Sequence, residues 1–389
     1  MPLIKSNSVL IAVGNDPVEY LTFLQNASFD IQTSKLNNKS IGNDFAYRNQ
    51  FTYPEVKIDI SYLQKINFFN ERLMGFNILK NTTSGSSVFE NYFNEYFIKN
   101  FIILMSDLSN VDLYDRIKNK LTSTLPTVVS NQLSLDNYSF SYRVGDFPIV
   151  NCSFSSNYFS AKNSSLDING NVNLTSSDTN QPISLTSSAL NDFFMQTNKT
   201  IDNTADNLIL HMKNLWFSNT YSSVGNLGPN ITTLLDGVIQ SLDFSIDINR
   251  NKYYFFNNTN IPYVKKIISP IIGTLKITGI SKDINLNNSL DSIFNSSNTF
   301  NITIDLGGKY DVILDYYQLI FENITVDSFN YSIDLNGFLN YTLSCSYQIT
   351  PSSGFKINEI NTRNLFSNTL QSMDGFFLID KNQNVLIAK

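Results

Sequence analysis

Apolar and polar residues alternate with a period of two along much of the chain. In residues 56–62, Val, Ile, Ile and Tyr occupy one parity, and Lys, Asp and Ser lie between them. Residues 27–31, 138–144, 242–248 and 329–335 show the same alternation. Because successive side chains of a strand point to opposite faces, each segment predicts an antiparallel strand with one buried and one wet side. The pattern therefore predicts a mainly β protein.

Helical patterns are few. The best candidate covers residues 86–96, where Ser87 is placed to cap a helix and Glu90 follows three residues later. The apolar run at residues 100–105 then predicts a buried strand. Residues 361–372 form a weaker helix candidate, and the turn-like residues 380–384 separate two short apolar runs. We therefore expect a few short helices and, at the C-terminus, a helix followed by a hairpin.

Two strand-like blocks occur twice. Residues 24–31 (LQNASFDI) resemble residues 239–246 (IQSLDFSI), and residues 135–144 resemble residues 326–335. This alignment places Phe29 with Phe244 and Tyr138 with Phe329. In each copy the first block is followed by a proline-led strand, after Pro54 and Pro270, and the second block by a short strand containing a cysteine.

The order of the blocks is the same in both copies, which indicates an internal duplication. It predicts two similar antiparallel β-barrel or β-sandwich domains, at residues 1–165 and 232–350. Residues 166–231 would form an insert and linker, and residues 351–389 a C-terminal helix and hairpin extension.

Composition narrows the functional classes. The 389 residues are 42% hydrophobic and 15% charged, which suits a packed core, and the net charge of −6 argues against a general nucleic-acid binder. One histidine and two cysteines argue against a zinc site. No apolar run approaches the ~20 residues that span a bilayer, and residues 9–13 are too short for a signal-peptide core. We expect a soluble, unprocessed chain with no membrane insertion.

No motif predicts catalysis or a cofactor. His211, the single histidine, would have to serve any Ser-His-Asp or Cys-His mechanism, and it lies near Trp216 in an apolar segment that suits packing or an interface. No phosphate-binding loop of the G-x-x-x-x-G-K-[ST] type is present. A glycosidase pair of carboxylates stays open as an alternative, because those groups need only meet in space. The prediction is a non-enzymatic protein without cofactor or metal.

The two cysteines share a sequence context. Cys152 and Cys345 are each flanked, at spacing two, by apolar residues, so both are predicted on the apolar face of a strand. The repeat places them at the same site of two different domains, too far apart for a disulfide. We expect two buried, free and unreactive thiols.

The repeated blocks, in their order and spacing, resemble bacteriophage virion structural proteins related to tail tube proteins. The resemblance covers most of residues 20–350. The segments that carry it are residues 24–29, Pro54 with 56–62, 70–76, 144–148, 239–244, 324–335 and 343–347.

This resemblance implies a fold and a role. Tail tube subunits are β-barrels or β-sandwiches with a flanking helix, and they form stacked rings that conduct the genome. Two such domains in one chain imply a trimeric pseudo-hexamer, and a single domain would require a hexamer. The implied partners are the chain itself and other tail proteins such as the tape measure, terminator or baseplate components, with DNA passing through without specific binding. The implied location is the virion tail, after synthesis in the bacterial cytoplasm.

Other roles stay open. Relatives of this family also act as tail terminators, baseplate hubs and other virion components, and a β-sandwich module that binds a receptor or glycan through Tyr- and Asn-rich loops is a competing class.

Self-association is predicted, through backbone pairing or through insertion of a long hairpin into the neighbouring subunit. The segments expected to mediate it are the aromatic residues 31–51 and 248–268, which lie between repeated strands. The candidate interface residues are Phe45, Tyr47, Phe51, Tyr253, Tyr254, Phe255 and Phe256. A structural turn is predicted at Gly145, Asp146, Phe147 and Pro148.

Overall fold

In the computed structural model, strands predominate among the described residues, and two short helices accompany them there. This is the mainly β fold that the alternation predicts. The structure describes residues 9–14, 19–32, 35–38, 47–51, 55–64, 68–80, 85–93, 98, 100–105, 123–143, 146–166, 172–175, 182–183, 215–217, 238–253, 264–280, 300–306, 315–333, 339–361, 378–379 and 385–386.

The strands up to the middle of the chain are β1 (Val9–Gly14), β2 (Glu19–Tyr20), β3 (Leu24–Gln32), β4 (Lys35–Asn38), β5 (Tyr47–Phe51), β6 (Glu55–Leu63), β7 (Ile78–Lys80), β8 (Asn100–Met105), β9 (Ser123–Asn131), β10 (Ser134–Arg143), β11 (Ile149–Ser156), β12 (Tyr158–Leu166), β13 (Val172–Thr175) and β14 (Pro182–Ile183). The later strands are β15 (Leu215–Phe217), β16 (Val238–Asp247), β17 (Arg250–Tyr253), β18 (Val264–Ile267), β19 (Ile271–Ile280), β20 (Phe300–Leu306), β21 (Asp315–Ile333), β22 (Leu339–Ile349), β23 (Phe355–Asn361), β24 (Leu378–Ile379) and β25 (Val385–Leu386). The helices are α1 (Phe69–Met74) and α2 (Glu90–Phe93).

A sheet of twelve strands dominates the described part of the molecule, with the order β15-β20-β21-β22-β19-β16-β10-β11-β6-β3. Strand β23 branches from β21, and β7 pairs with β23. We call β3, β6, β10 and β11 the first unit, and β16, β19, β21 and β22 the second unit. Numbered along the chain within each unit, the strands of both units lie side by side in the order third, fourth, second, first. The same strand order therefore occurs twice in one sheet, and β16 of the second unit pairs directly with β10 of the first.

Irregularities in the ladders also recur at matching positions. Strand β3 bulges at Gln25, and β16 bulges at Gln240, the residue that the repeated blocks align with it. Strand β10 bulges at Asp136, and β21 bulges at the aligned Asp327. Since a bulge redirects the strand that contains it, matching bulges give the two units the same local twist.

In both units, the strand segment just before the third strand of the unit pairs with strands outside the unit, and it ends at a residue with a left-handed backbone conformation. Gln132, between β9 and β10, has φ 54°, and Asn323, within β21, has φ 55°. Before this point β9 pairs with β8 and β12, and the first part of β21 pairs with β20 and β23. In both units the chain therefore passes through one left-handed residue from a segment with two partner strands outside the unit into the four strands of the unit.

The register corrects one prediction. Cys152 pairs with Tyr138, and in the second unit it is Leu343 that pairs with Phe329. The counterpart of Cys152 is therefore Leu343, and Cys345 lies two residues further along its strand. The expectation that the cysteines share one site is wrong, whereas their predicted burial and lack of a disulfide are confirmed.

One apolar core connects the layers. The second sheet has the order β14-β13-β12-β9-β8-β1-β2, and its buried side chains belong to the same cluster as those of the main sheet. Phe244 lies near the centre of this core, with its ring centroid 5.0 Å from that of Phe140 and 4.7 Å from that of Phe355. Because Phe140, Phe244 and Phe355 come from β10, β16 and β23, the core spans both units.

Both helices are short. Helix α1 ends at Gly75, whose φ of 88° is a left-handed C-cap conformation. Helix α2 falls inside the predicted segment 86–96, and the Ser87 hydroxyl accepts a hydrogen bond from the Phe89 amide at 3.3 Å. The predicted terminal hairpin corresponds to β24 and β25, and residues 362–372 of the predicted C-terminal helix lie outside the described residues.

The C-terminal region contributes one strand that the sequence did not predict. Strand β23 pairs with β21 and, in parallel, with β7, so it links the end of the second repeat to the first half of the chain. The predicted insert likewise contains β13, β14 and β15. The domain boundaries themselves stay predictions.

Candidate assembly surfaces

The face of the main sheet opposite the core is polar. Along β6, β10, β19 and β22, exposed or half-buried residues alternate with the buried ones, and most of these outward residues are Ser, Thr, Asn or Asp. In the strands of the two units, the charged residues of this face include Asp30, Glu55, Lys57, Asp59, Arg143, Asp243, Asp247, Lys276 and Asp327. Aspartates thus outnumber cations on this face, which we call the polar face.

Hydroxyl and amide groups of adjacent strands hold these aspartates. Ser153 donates to Asp59 at 2.5 Å, and Ser141 donates to Asp243 at 2.5 Å. Asn137 donates to Asp247 at 2.7 Å. The carboxylates are therefore positioned by the sheet itself, and they give the polar face a fixed arrangement of negative charge.

The junction between the units, β10 with β16, is an antiparallel ladder of seven directly opposed residue pairs that runs from Asn137–Asp247 to Arg143–Ser241. On its apolar side Phe140 lies opposite Phe244, and each is 2% exposed. The polar side carries the hydrogen bond from Ser141 to Asp243. One ladder thus combines a dry aromatic side with a hydrogen-bonded polar side. We call this ladder the internal joint.

A hairpin of the second unit reinforces the internal joint. Strands β17 and β18 pair with each other, and Arg250 at the start of β17 lies 3.3 Å from the Asp136 carboxylate at the β10 bulge. Arg250 also donates to the Leu135 carbonyl oxygen. Lys252 contacts Glu55 of the first unit at 2.5 Å. The hairpin therefore bridges the units through ion pairs.

Burial perturbs these charges. It lowers the pKa of Arg250, against the opposing effect of Asp136, and it lowers the pKa of Lys265 to about 8. Burial also raises the pKa of Asp136, although Ser155 and Arg250 oppose the rise. The charged groups are thus partly desolvated, so their pairing is screened less by solvent than that of an exposed pair.

Two edges of the main sheet contrast with the internal joint. Strand β3 pairs with β6 on one side, and the second half of β21 pairs with β22. In the described part of the chain, no strand pairs with the other side of β3 or of residues 325–333. Ile31 and Ile333 on these edges are 42% and 75% exposed, although each belongs to the apolar parity of its strand.

Three of the predicted interface residues, Tyr47, Phe51 and Tyr253, lie in hairpins at matching positions. Strands β4 and β5 form the hairpin of the first unit, and Lys35 pairs with Phe51 where Arg250 pairs with Ile267 in the second. Tyr47 lies in β5 with Phe51, and Tyr253 lies in β17, where it is 52% exposed. The remaining candidates, Phe45, Tyr254, Phe255 and Phe256, are outside the described residues.

The predicted turn connects β10 and β11. The Asp146 carboxylate accepts a hydrogen bond from the Phe147 amide at 2.9 Å, and Phe147 is 43% exposed. Pro148 is buried, and its carbonyl oxygen accepts from the Gln64 amide at 3.0 Å. Gly145 lies outside the described residues.

One ionisable group lies deep in the first unit. Glu71 of α1 is 0% exposed, and it accepts hydrogen bonds from the Tyr62 hydroxyl at 2.7 Å and from the Gln64 side-chain amide at 3.2 Å. Burial raises the pKa of Glu71 to about 7, although these hydrogen bonds and Arg72 oppose the rise. Sequence reasoning missed this residue, because no periodicity distinguishes a buried glutamate from a solvated one.

In the described part of the chain, few other groups suggest a metal, ligand or catalytic site. The described residues contain no group of three or more His, Cys, Asp or Glu side chains placed to hold a metal ion. A cavity of about 320 Å³ beside Ile272, Asn323 and Tyr347 is lined without a carboxylate, histidine or cysteine. His211 lies outside the described residues. Neither described helix has the length and apolar character needed to cross a bilayer.

Comparison of the sequence with protein-family models and with curated proteins finds no match. The geometry of the sheet is therefore the basis for any functional assignment.

Proposed function

We propose that the chain is a structural subunit of a bacteriophage tail, most specifically of the tail tube that conducts the genome. In this proposal each unit, with the outside strands that pair with the segment before its third strand, is one tail-tube-like β domain. Three chains would place six such domains in a ring, and stacked rings would form the tube. Its partners would be further copies of itself and other tail proteins at the ends and inside of the tube.

The observation that carries the proposal is a sheet in which one strand order occurs twice and whose polar face is rich in hydroxyls and aspartates. A ring needs a repeating element that continues from one unit to the next, and the internal joint supplies such a continuation. Closing this sheet with its core outward would make the polar face the wall of a channel.

The chemistry of the polar face suits a conduit for DNA. Proteins that retain nucleic acid use cations against phosphates and aromatic rings against bases. On the polar face aspartates outnumber the cations Lys57, Arg143 and Lys276, and the aromatic rings of the same strands lie on the opposite, buried face. Such a wall repels phosphate, so DNA would pass along it without being held.

The test is to purify the full chain and image it by electron microscopy, and to locate it in phage particles by peptide mass mapping of isolated tails. We expect rings or tubes in the purified sample and one protein present in many copies along the tail. A single ring at the tail end would identify a terminator or baseplate component instead. A monomer that binds glycan and is absent from tails would overturn the proposal in favour of a receptor-binding module.

A further inference from the structure

The internal joint is a template for contacts between copies. We propose that β3 of one copy pairs antiparallel with residues 325–333 of β21 in the next copy, in the register that β16 and β10 show inside the chain. This inference rests on the proposed ring assembly and names the interface that would build it.

The order of strands in the sheet identifies which two edge strands would pair between copies. Across the sheet the second unit ends with β16, and the first unit begins beside it with β10. The counterpart of β16 is β3, and the counterpart of β10 is the second half of β21. These two counterparts are the outer edges of the array that the two units form. Each copy therefore has, at opposite edges of this array, one strand that corresponds to β16 and one that corresponds to β10.

The matching bulges determine the register. Gln25 of β3 corresponds to Gln240 of β16, and Asp136 of β10 corresponds to Asp327 of β21. In the internal joint the opposed apolar pairs are Ile246–Tyr138, Phe244–Phe140 and Leu242–Tyr142. Counted from the bulges, the corresponding pairs between copies are Ile31–Phe329, Phe29–Tyr331 and Ala27–Ile333.

Burial distinguishes the joint from the edges. Ile246 is 1% exposed in the joint, and its counterpart Ile31 is 42% exposed. Tyr142 is 0% exposed, and its counterpart Ile333 is 75% exposed. Apolar side chains on an open strand edge are a template for pairing with another chain, and neither β3 nor residues 325–333 contain the proline or lysine that commonly block such pairing.

The basic and acidic residue types of the internal ion pair also recur at the aligned positions of the two edges. The ion pair of Arg250 with Asp136 anchors the hairpin across the internal joint. By the same alignment, Lys35 stands at the position of Arg250 and Asp327 at that of Asp136. The sequence thus has a lysine and an aspartate at the two positions whose counterparts form the internal ion pair.

The occupant of both edges is therefore a second copy, joined head to tail. Such a contact is heterologous, so successive copies add with the same rotation and the assembly closes when the rotation completes a circle. Since the internal joint relates unit to unit as the external joint relates chain to chain, the ring has nearly equivalent steps throughout.

Cysteine pairs on the polar face test the register. Ser28 and Ser332 are both exposed and would lie directly opposite each other between copies. Opposed positions place Cβ atoms ~5 Å apart, within reach of a disulfide or a short bismaleimide. The test variant is S28C with S332C. The mismatched control is S28C with S328C, which is displaced by four residues, or ~13 Å along the strand. The pair S139C with S245C is directly opposed in the internal joint and calibrates linking within one chain.

We expect the matched pair to give a ladder of linked chains, at least about tenfold more abundant than the product of the mismatched pair. Native Cys152 and Cys345 are buried and add little background. Equal linking by both pairs, or links only in the mismatched pair, would overturn the register. A wild-type chain that stays monomeric at every concentration would overturn the joint itself.

Charge insertion at the edges provides a second test. Ile31→Lys and Ile333→Lys each place an ammonium group on the dry side of the proposed joint, and both sites are exposed within one chain. The matched control is Ile272→Lys, at a residue 46% exposed on the polar face of β19. We expect the edge variants to fold, to lose the ring and to sediment as monomers, and the control to assemble. Assembly of both edge variants at wild-type concentration would overturn the proposal.

These outcomes separate the joint from the proposed function. A chain that links at Ser28 and Ser332 but is absent from phage tails would retain the joint and refute the tail role. A protein found along tails whose rings do not link at these positions would retain the tail role and refute the joint.

Discussion

The first and second units share their strand order and bulges, but at one level of the core the large side chain comes from a different strand in each unit. In the first unit Tyr62 of β6 pairs with Val150 of β11, and in the second Gly279 of β19 pairs with Tyr341 of β22. The tyrosine is on β6 in the first unit, but in the second unit it is on β22, the strand that corresponds to β11. A Cβ atom added to Gly279 would lie 2.6 Å from the Tyr341 ring, so the tyrosine occupies the space that the glycine leaves open.

A second level shows a related exchange. Val56 pairs with Ser156 in the first unit, and Gly273 pairs with Tyr347 in the second. A Cβ atom on Gly273 would come within 3.0 Å of the Tyr347 ring. Because interiors are close-packed, a large residue on one strand requires a small one opposite, and either strand can supply it. The two units thus share a strand arrangement, whereas each unit packs its core with its own set of side chains.

The largest effect is expected where matching phenylalanines differ in surroundings. Phe244 is 2% exposed in the internal joint, and its counterpart Phe29 is half-buried on a free edge. Phe244→Ala should lower the free energy of unfolding by ~3–5 kcal/mol, and Phe29→Ala by ~1 kcal/mol or less in the monomer. Denaturant unfolding at low protein concentration measures both. Equal losses would show that the joint and the edge are not distinct environments.

The next largest effect is a pH dependence of stability that arises from Glu71, which is buried beside Tyr62 of the first unit. The pKa of Glu71 is about 7, above its ordinary value of 4.5, so the folded state binds a proton that the unfolded state releases. The contribution of Glu71 to the free energy of unfolding should therefore be most favourable below about pH 4.5 and fall by about 3 kcal/mol as the pH rises to and past 7. Glu71→Gln should remove most of this fall and raise stability at pH 8, since Gln still accepts from Tyr62 and the Gln64 amide can turn.

Denaturation across pH 4.5–8 compares Glu71→Gln with Asp30→Asn, a change at an exposed carboxylate of the same unit. The control should keep the wild-type slope. A slope that Glu71→Gln leaves unchanged would assign the pH dependence to other groups.

A moderate effect is expected at the exchanged core level of the second unit. Gly279→Val places a side chain where the Tyr341 ring lies, and Tyr341 is 1% exposed with little room to move. We expect a loss of ~1–3 kcal/mol. Adding Tyr341→Val should restore part of the loss, because it frees that space. Ile272→Val, on the exposed face of the same strand, should change stability by less than ~0.5 kcal/mol. Strictly additive losses in the double variant would contradict the exchange.

The smallest effect concerns the two thiols. Burial raises the pKa of Cys345 to about 12 and that of Cys152 well above 9, with Glu71 adding to the latter. At pH 8 a thiol of pKa 12 has about a thousandfold less thiolate than one of pKa 9, so native protein should react very slowly with a thiol reagent. Denatured protein should show both thiols without reductant. Fast reaction of either native thiol would place it outside the core.

Local alternation predicted much of the fold. The strands β3, β6, β10, β16 and the second half of β21 coincide with segments of period two, and the predicted buried strand at Asn100–Met105 is β8. The segments 31–51 and 248–268 contain the hairpins β4–β5 and β17–β18. These features follow from the sequence because strand pleating repeats every two residues and turns close over short distances.

The same period explains the error over the cysteines. Residues 151–154 and 344–347 match by residue type, but the ladders align Cys152 with Leu343. A slip of two residues keeps every side chain on its own face, so burial is predicted correctly while the register is not. Only pairing with Tyr138 and Phe329 distinguishes the two alignments.

The sequence by itself thus determined the strands with period-two alternation, their buried faces and the recurrence of similar strand blocks, because these depend on residues near one another in the chain. The tertiary structure decided that β16 pairs with β10, that β23 crosses to β7, and that Glu71 is buried. Those features depend on contacts between distant segments, whose backbone donors and acceptors are alike at every residue. Side-chain packing and strand register decide which distant segments pair, and local periodicity predicts neither of them.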